Sequence, residues 1–407
     1  MSHLEDEKVE VGFDLTSGYG PFLTLDDPVS GKLDDPDWTL GGTIFYDITE
    51  HVRAFSISRG RSNLFQQFPA GGASVEFNNH DRTFDPLYTG SPFYGQIIPN
   101  REIRITSGTA VQFTGWIDDW NLTYAPNGDS IAEAVATDAT RLLAGRNLSA
   151  STPAAQTTGE RINAILSSSD VDWSAGLRSI DIGSAQLSDY PIDANTNALN
   201  YLQQVAKTEP GNLFINKVGQ ITFQDRTVGP TSDSLIYLGG TGIPFSSVEV
   251  LYGSEVLYNQ IVVSRLGGGT AVAVDSDSIG AYGIQNLTES DLLFDSDSQL
   301  VDLAVNYAAQ YSQPEYRFNS VEVRVHKLDE TDQDKMYGLE IGSICLITFT
   351  PNNIGDAITR YVEVIRVDHT ATPEEHIIIL GFKSLDYASL VLSDAEFGKL
   401  DTYSLSW

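Results

Sequence analysis

The sequence holds one cysteine, Cys345, and two methionines in 407 residues. A disulfide within the chain is therefore excluded, and the fold needs no oxidising compartment. Cys345 lies in GSICLITFT, an alternating, strand-like stretch, and reads as a buried, inert thiol rather than a nucleophile. Basic residues are scarce too. Lys and Arg total 24 against 55 Asp and Glu, giving a formal net charge of −31. Grip on nucleic acid depends on cations that neutralise phosphates, so this balance argues against a DNA- or RNA-binding surface. It argues equally against anionic membranes. Long apolar runs are missing: nothing approaches the ~20 residues of a membrane-crossing helix. The acidic opening MSHLEDEKVEVGF lacks the apolar core of a secretory signal, so no leader is expected.

Motifs for chemistry are also lacking. The histidines, His3, His51, His80, His326, His369 and His376, form no zinc-type pair and no H-E-x-x-H. DSDSIG puts Asp275, Asp277 and Gly280 at calcium-loop positions. Ile279 and Asn286 then fall where an oxygen ligand and a bidentate Glu belong, so a calcium site is not expected. Asp118 and Asp119 sit between Trp116 and Trp120, as a sugar-cleaving pair would beside stacking aromatics. Neighbours on a strand point to opposite faces, however, and cannot act together on one bond. RLGGGTA and YLGGTGIP match no phosphate or dinucleotide fingerprint, and no G-x-S-x-G occurs. The expectation is a protein without catalytic residue, cofactor or metal.

What is present is strand grammar. VEVGFDL, TIFYDIT, VRAFSISR, ASVEFNN, REIRITS, AVQFTGWIDDWNLTY and SIAEAVATD are short, β-rich and separated by turn residues. Residues 16–41 are rich in Gly, Pro and Asp and read as an extended arm. From about 146 the pattern changes. TGERINAILSSS and TNALNYLQQVAKT have helical spacing, and GNLFINKVGQITFQDR reads as a hairpin. Strands then return, interrupted by one helix, SQLVDLAVNYAAQYSQPE, which Ser298 is placed to cap. The expected fold is mainly β with an α+β insertion. It comprises an N-terminal barrel-like domain over 1–145, a small α/β module over 146–230, a second barrel-like domain over 231–395 and a tail over 396–407.

One stretch concentrates special residues without any chemistry. It runs DITEHVRAFSISRGRSNLFQQFPAGGASVEFNNHDRTFDPLYTGSPFYGQIIPNREIRI. It resembles the N-terminal domain of tail-tip minor tail proteins, baseplate hub-like proteins of long-tailed (siphovirus-type) bacteriophages. The resemblance rests on Asp47-Ile48-Thr49, Gly60-Arg61, Phe68 to Asn79, Asp81-Arg82, Phe84-Asp85-Pro86, Ser91 to Gly95 and Pro99 to Ile105. Arg101-Glu102-Ile103 departs slightly from the Arg-Pro-Val of that family. LYNQIVVSR, the segment from DSDSIG through the helix, and LEIGSICLITFT resemble the second half of tail hub proteins more loosely.

The resemblance implies a non-catalytic virion protein. Its subunits would form a homotrimer around the tail axis, in a pseudo-sixfold ring enclosing the DNA ejection channel. The implied neighbours are a distal tail or tail tube ring, a tape-measure protein and a central-fibre or receptor-binding protein. Synthesis would be in the host bacterial cytoplasm. The implied structural or interface motif is Arg59, Gly60, Arg61, Phe68, Gly71, Asn78, Asp81, Arg82, Phe84, Asp85 and Pro86. The surplus of acids suits either a channel wall that repels phosphate or a solvated exterior. Two other readings stand beside this one. The first is a carbohydrate-binding or cell-wall-degrading tail enzyme using Trp116, Trp120 or Tyr88. The second is a subunit of a hexameric distal-tail ring.

Overall fold

The computed structural model describes residues 6–13, 44–126, 128–226 and 235–385. The arm at 16–41 and the tail at 396–407 lie outside the described residues. The chain divides into two compact units. One comprises residues 1–57, 72–138 and 369–376; the other comprises 58–71, 139–368 and 377–407.

The first unit is built on an antiparallel sheet. Its order is Val52–Gly60, Gly72–Asn78, Ser130–Thr137, Ala110–Tyr124, Glu102–Ser107, Glu7–Gly12 and Phe45–Asp47. Period-two patterning drives it: Ser130–Thr137 alternates strictly, with Ala132, Ala134 and Ala136 facing inward. These small side chains leave room for Phe55, Phe77, Phe84 and Phe113, all in the same core. Each buried Phe contributes about 1.5–3 kcal/mol relative to an exposed one. The register shifts between Ile117 and Asp119, so Asp118 is the extra residue of a bulge. Its carboxylate accepts from the Thr137 hydroxyl at 2.5 Å.

The second unit is built on a further run of strands. The order is Ser247–Tyr252, Tyr316–Arg324, His376–Leu385, Ile358–Ala371, Ile344–Phe349 and Ile236–Leu238. A separate sheet, Thr270–Val274, Gln260–Arg265 and Asn286–Leu292, packs on the helix Asp297–Tyr311 through Ile261, Val263, Leu300 and Leu303. The inserted segment folds as the helices Thr158–Leu166 and Ala198–Thr208 with the sheet Arg178–Ile180, Ile221–Gln224 and Asn212–Ile215. Thr157 and Glu160 close a capping box on the first helix, and Asn197 caps the second. Arg161, wholly buried, donates to the Tyr201 hydroxyl and to the Ala154 and Ser188 carbonyls, each at 2.8 Å.

Two expectations need correction. Among the described residues no sheet closes into a barrel. Closure requires the two end strands to pair. Among the described residues the end strands stay unpaired on one side: Phe45–Asp47 pairs only with Glu7–Gly12, Ser247–Tyr252 only with Tyr316–Arg324, and Ile236–Leu238 only with Ile344–Phe349. The chain is mainly β with several open sheets. The cap of the Asp297–Tyr311 helix is also displaced: Ser296 occupies the capping position, without a side-chain cap bond, and Ser298 lies inside the helix. Cys345 is buried, and burial pushes its thiol up to about 12.

Candidate functional site

The motif stretch divides between the units: Arg59 to Gly71 belong to the second and Asn78 to Pro86 to the first.

In the second unit, Gly60 has φ +107, and a Cβ there would lie 2.2 Å from the Ile365 carbonyl oxygen. Only glycine fits such a turn against neighbouring backbone. It separates two arginines with different roles. Arg59 is buried and donates through Nη1 to Glu340 Oε1 at 2.7 Å. Glu340 also accepts from the Lys217 and Ile341 backbone N–H groups, both at 2.8 Å. Lys217 Nζ in turn donates to the Tyr337, Gly338 and Leu339 carbonyls, at the end of the helix Glu330–Gly338.

Arg61 turns elsewhere. Its Nη1 reaches the Gln66 carbonyl at 3.1 Å, its Nη2 reaches Asn212 Oδ1 at 3.0 Å, and its guanidinium lies over the Phe68 ring. Asn212 donates to Glu363 Oε1 at 2.7 Å, and Lys383 Nζ lies 3.3 Å from Glu363 Oε2. Burial lowers the pKa of Arg61. Burial also works against ionised Glu363, but Lys383, Asn212 and Arg61 outweigh it and hold the carboxyl below its ordinary range. Phe68 packs on Phe214 and Ile341, so Arg61 and Phe68 together root the segment.

In the first unit, residues 79–94 form a staircase of turns. The N–H groups of Arg82, Asp85, Tyr88, Ser91 and Tyr94 each bond the carbonyl three residues back, at 3.0–3.2 Å. Side chains fix each step. Asn79, fully buried, accepts from Phe84 N–H at 2.9 Å, and Asp81 from Thr83 N–H at 3.0 Å. Asn78 accepts from Arg53 at 3.2 Å. Arg82, at φ 63, donates through Nε and Nη2 to Asp85 Oδ2 at 2.9 and 2.7 Å. Asp85 also accepts from Leu87 N–H and the Tyr124 hydroxyl, both at 2.8 Å. Burial opposes its ionisation, yet these donors prevail and hold the carboxyl below the usual range. Phe84 stacks on Phe77 at 4.6 Å between ring centroids, and on Trp120 at 5.9 Å. Pro86 follows directly and lets no strand continue.

The structure also places the other positions weighed in the sequence. Asp275 caps the short helix Ser276–Tyr282, accepting from Asp277 and Ser278 N–H groups. Among the described residues no cluster of His, Cys, Asp and Glu has metal-binding geometry. Trp120 belongs to the aromatic stack, with its Nε1 donating to the Ile98 carbonyl at 3.2 Å. Among the described residues no helix is long and apolar enough to cross a membrane. Sequence reasoning did not find Glu340, Asn212, Glu363 or Tyr124, because each meets the motif only through the tertiary fold.

With the fold described, its class can be stated: it is that of phage tail proteins. The chain is similar to a tail protein from Neisseria meningitidis MC58, with a TM-score of 0.59 and 10% identity, over 93% of this chain and 97% of that one. It is similar also to the 43 kDa tail protein of prophage MuSo2 from Shewanella oneidensis, with a TM-score of 0.57 and 11% identity, over 84% and 94%. No protein-family profile matches the chain, and no curated protein matches it in sequence.

Proposed function

We propose that the chain is a structural subunit of a bacteriophage tail tip, a hub joining the tail tube or distal tail ring to the receptor-binding apparatus. Three copies surround the tail axis and enclose the DNA ejection channel. The observation that carries this reading is the similarity of fold to phage tail proteins across nearly the full length of both chains. The motif agrees with it: its arginines, glycine and acids are spent on internal turns and buried pairs, which suits a scaffold. The neighbours are the tube or distal ring, the tape-measure protein and the central-fibre or receptor-binding protein. The role needs no catalysis and no cofactor. The protein belongs in the virion, after synthesis in the host cytoplasm.

Electron microscopy of virions carrying a labelled copy of this chain tests the reading. Label at the tail tip in three copies is expected. Six copies point instead to a hexameric distal-tail ring, and label absent from the tail overturns the proposal.

A further inference from the structure

The staircase of turns continues into a segment with an unusual surface. Residues 86–100, PLYTGSPFYGQIIPN, contain no Asp, Glu, Lys, Arg or His, in a chain of net charge −31. The segment is nevertheless exposed. Leu87 is 83% exposed, Tyr94 52% and Ile98 43%, and Tyr124, bonded to Asp85 of the staircase, is 51% exposed. It is also rigidly held from beneath. Ser91 Oγ donates to the Thr83 carbonyl and accepts from Phe93 N–H at 3.0 Å, while Phe93 stacks on Phe13 at 4.4 Å. Gln96 N–H bonds the Phe93 carbonyl at 2.9 Å, and Arg101 clasps the Gln96 side chain at 2.6 Å. Charge returns only at the margins, at Arg82 and Asp85 on one side and Arg101 and Glu102 on the other.

An ordered loop of this length without regular structure is uncommon unless it is functional. Apolar and aromatic side chains inside a charged margin are the arrangement of a protein contact. Because the loop is already fixed, docking costs little ordering entropy.

Electrostatics selects the occupant. A basic partner would be drawn to the many acids and would gain nothing from a neutral loop. A strongly acidic partner needs a face from which charge has been removed, since like charges brought together at a contact are costly. A second copy of this chain is such a partner. We infer that the 86–100 loop is a self-association surface, with Leu87, Tyr94 and Ile98 inserting against an uncharged face of the next copy. This rests on the reading of the chain as a ring-forming tail subunit.

The test uses the full-length protein in analytical ultracentrifugation over a wide concentration range. Leu87→Glu, Tyr94→Glu and Ile98→Glu are compared with Ile354→Glu, another exposed apolar position, 76% exposed and part of the other unit. Self-association is expected to weaken at least tenfold in each loop variant and to stay unchanged in the control. Thermal melts matching the wild type exclude unfolding as the cause. A photo-crosslinking residue at position 94 in assembled tails is expected to capture a second copy of the chain.

Wild-type protein that stays monomeric throughout, or loop variants that associate as well as the control, overturns the inference. So does a crosslink made only to a different tail protein. Those results leave the tail-tip reading standing if the labelled chain is found in the tail. Absence from the tail sinks that reading by itself.

Discussion

Arg59 Nη1 lies 2.7 Å from Glu340 Oε1, a pair closed across 281 residues of sequence, with the arginine side chain only 2% exposed. Such a pair is weak evidence of net stabilisation, because both charges lose water. Breaking it is another matter. Glu340→Gln keeps the shape and leaves Arg59 buried without its counter-charge. We expect a loss of about 3 kcal/mol in chemical denaturation. Arg59→Met combined with Glu340→Gln should recover part of that loss. A double variant as unstable as the sum of the single ones would show that the two side chains are not coupled.

Gly60, the next residue, is constrained for a separate reason. Its φ of +107 and the 2.2 Å approach of a notional Cβ to the Ile365 carbonyl leave no room for a side chain. Gly60→Ala is expected to cost more than about 2 kcal/mol, from backbone strain together with the steric clash. Gly355 is the comparison: it also has positive φ, but a Cβ there would meet nothing within 4 Å. Gly355→Ala should cost only the backbone strain, about 1 kcal/mol. Equal losses at the two glycines would remove the close approach as the reason for the first.

How much of this was legible in the sequence depends on the range of each interaction. The strand Ser130–Thr137 and the helices Thr158–Leu166 and Ala198–Thr208 follow from period and capping within a few residues of chain. The turn chemistry of Asn79, Asp81 and Asp85 is local as well, since each side chain bonds backbone two to five residues away. The partners of Arg59 and Arg61 are not local. Glu340 and Asn212 carry no mark that sets them apart from other surface-type residues. Sheet closure was illegible for the same reason: alternation shows which face is inward but not which end strands meet. Ser298 was a reasonable cap from spacing, and the helix began two residues earlier because Asp297 is drawn to Arg265 and Gly269 N–H.

Asp85 gives the staircase a pH dependence. Its carboxyl is held below the usual range by Leu87 N–H, Arg82 and Tyr124, against the opposing effect of burial. A carboxyl whose folded pKa is depressed contributes stability that is present above its unfolded pKa and is lost as pH falls through the folded value. The staircase should therefore hold at neutral pH and loosen below about pH 4. Amide exchange of Leu87, Tyr88 and Ser91 measured against pH reads this directly. Asp85→Asn should raise exchange at neutral pH and flatten its acid dependence. Tyr124→Phe, which removes one hydrogen bond, should cost about 1 kcal/mol. Exchange in Asp85→Asn that still rises in acid as in the wild type would place the titrating group elsewhere.

The last prediction concerns a buried polar line within the first unit. The Ser107 hydroxyl donates to Glu7 Oε2, and Glu7 Oε1 lies 2.8 Å from His376 Nδ1. His376 Nε2 lies 3.1 Å from His369 Nδ1. All four residues are buried. An ionised carboxylate only accepts, so His376 must carry a proton on Nδ1. If His376 is neutral, its Nε2 has only a lone pair to offer, and His369 must then donate from Nδ1. With both rings neutral, the geometry therefore sets the same tautomer, Nδ1–H, on each, where isolated imidazole would be free to choose. Nitrogen-15 NMR of the two rings near neutral pH is expected to show it. Glu7→Gln places an amide that can donate as well as accept beside His376 and releases the constraint, so the tautomer populations should become mixed. A wild-type spectrum with His376 protonated on Nε2 alone would mean that the proton does not lie between His376 and Glu7, and the order of donors along the line would have to be reversed.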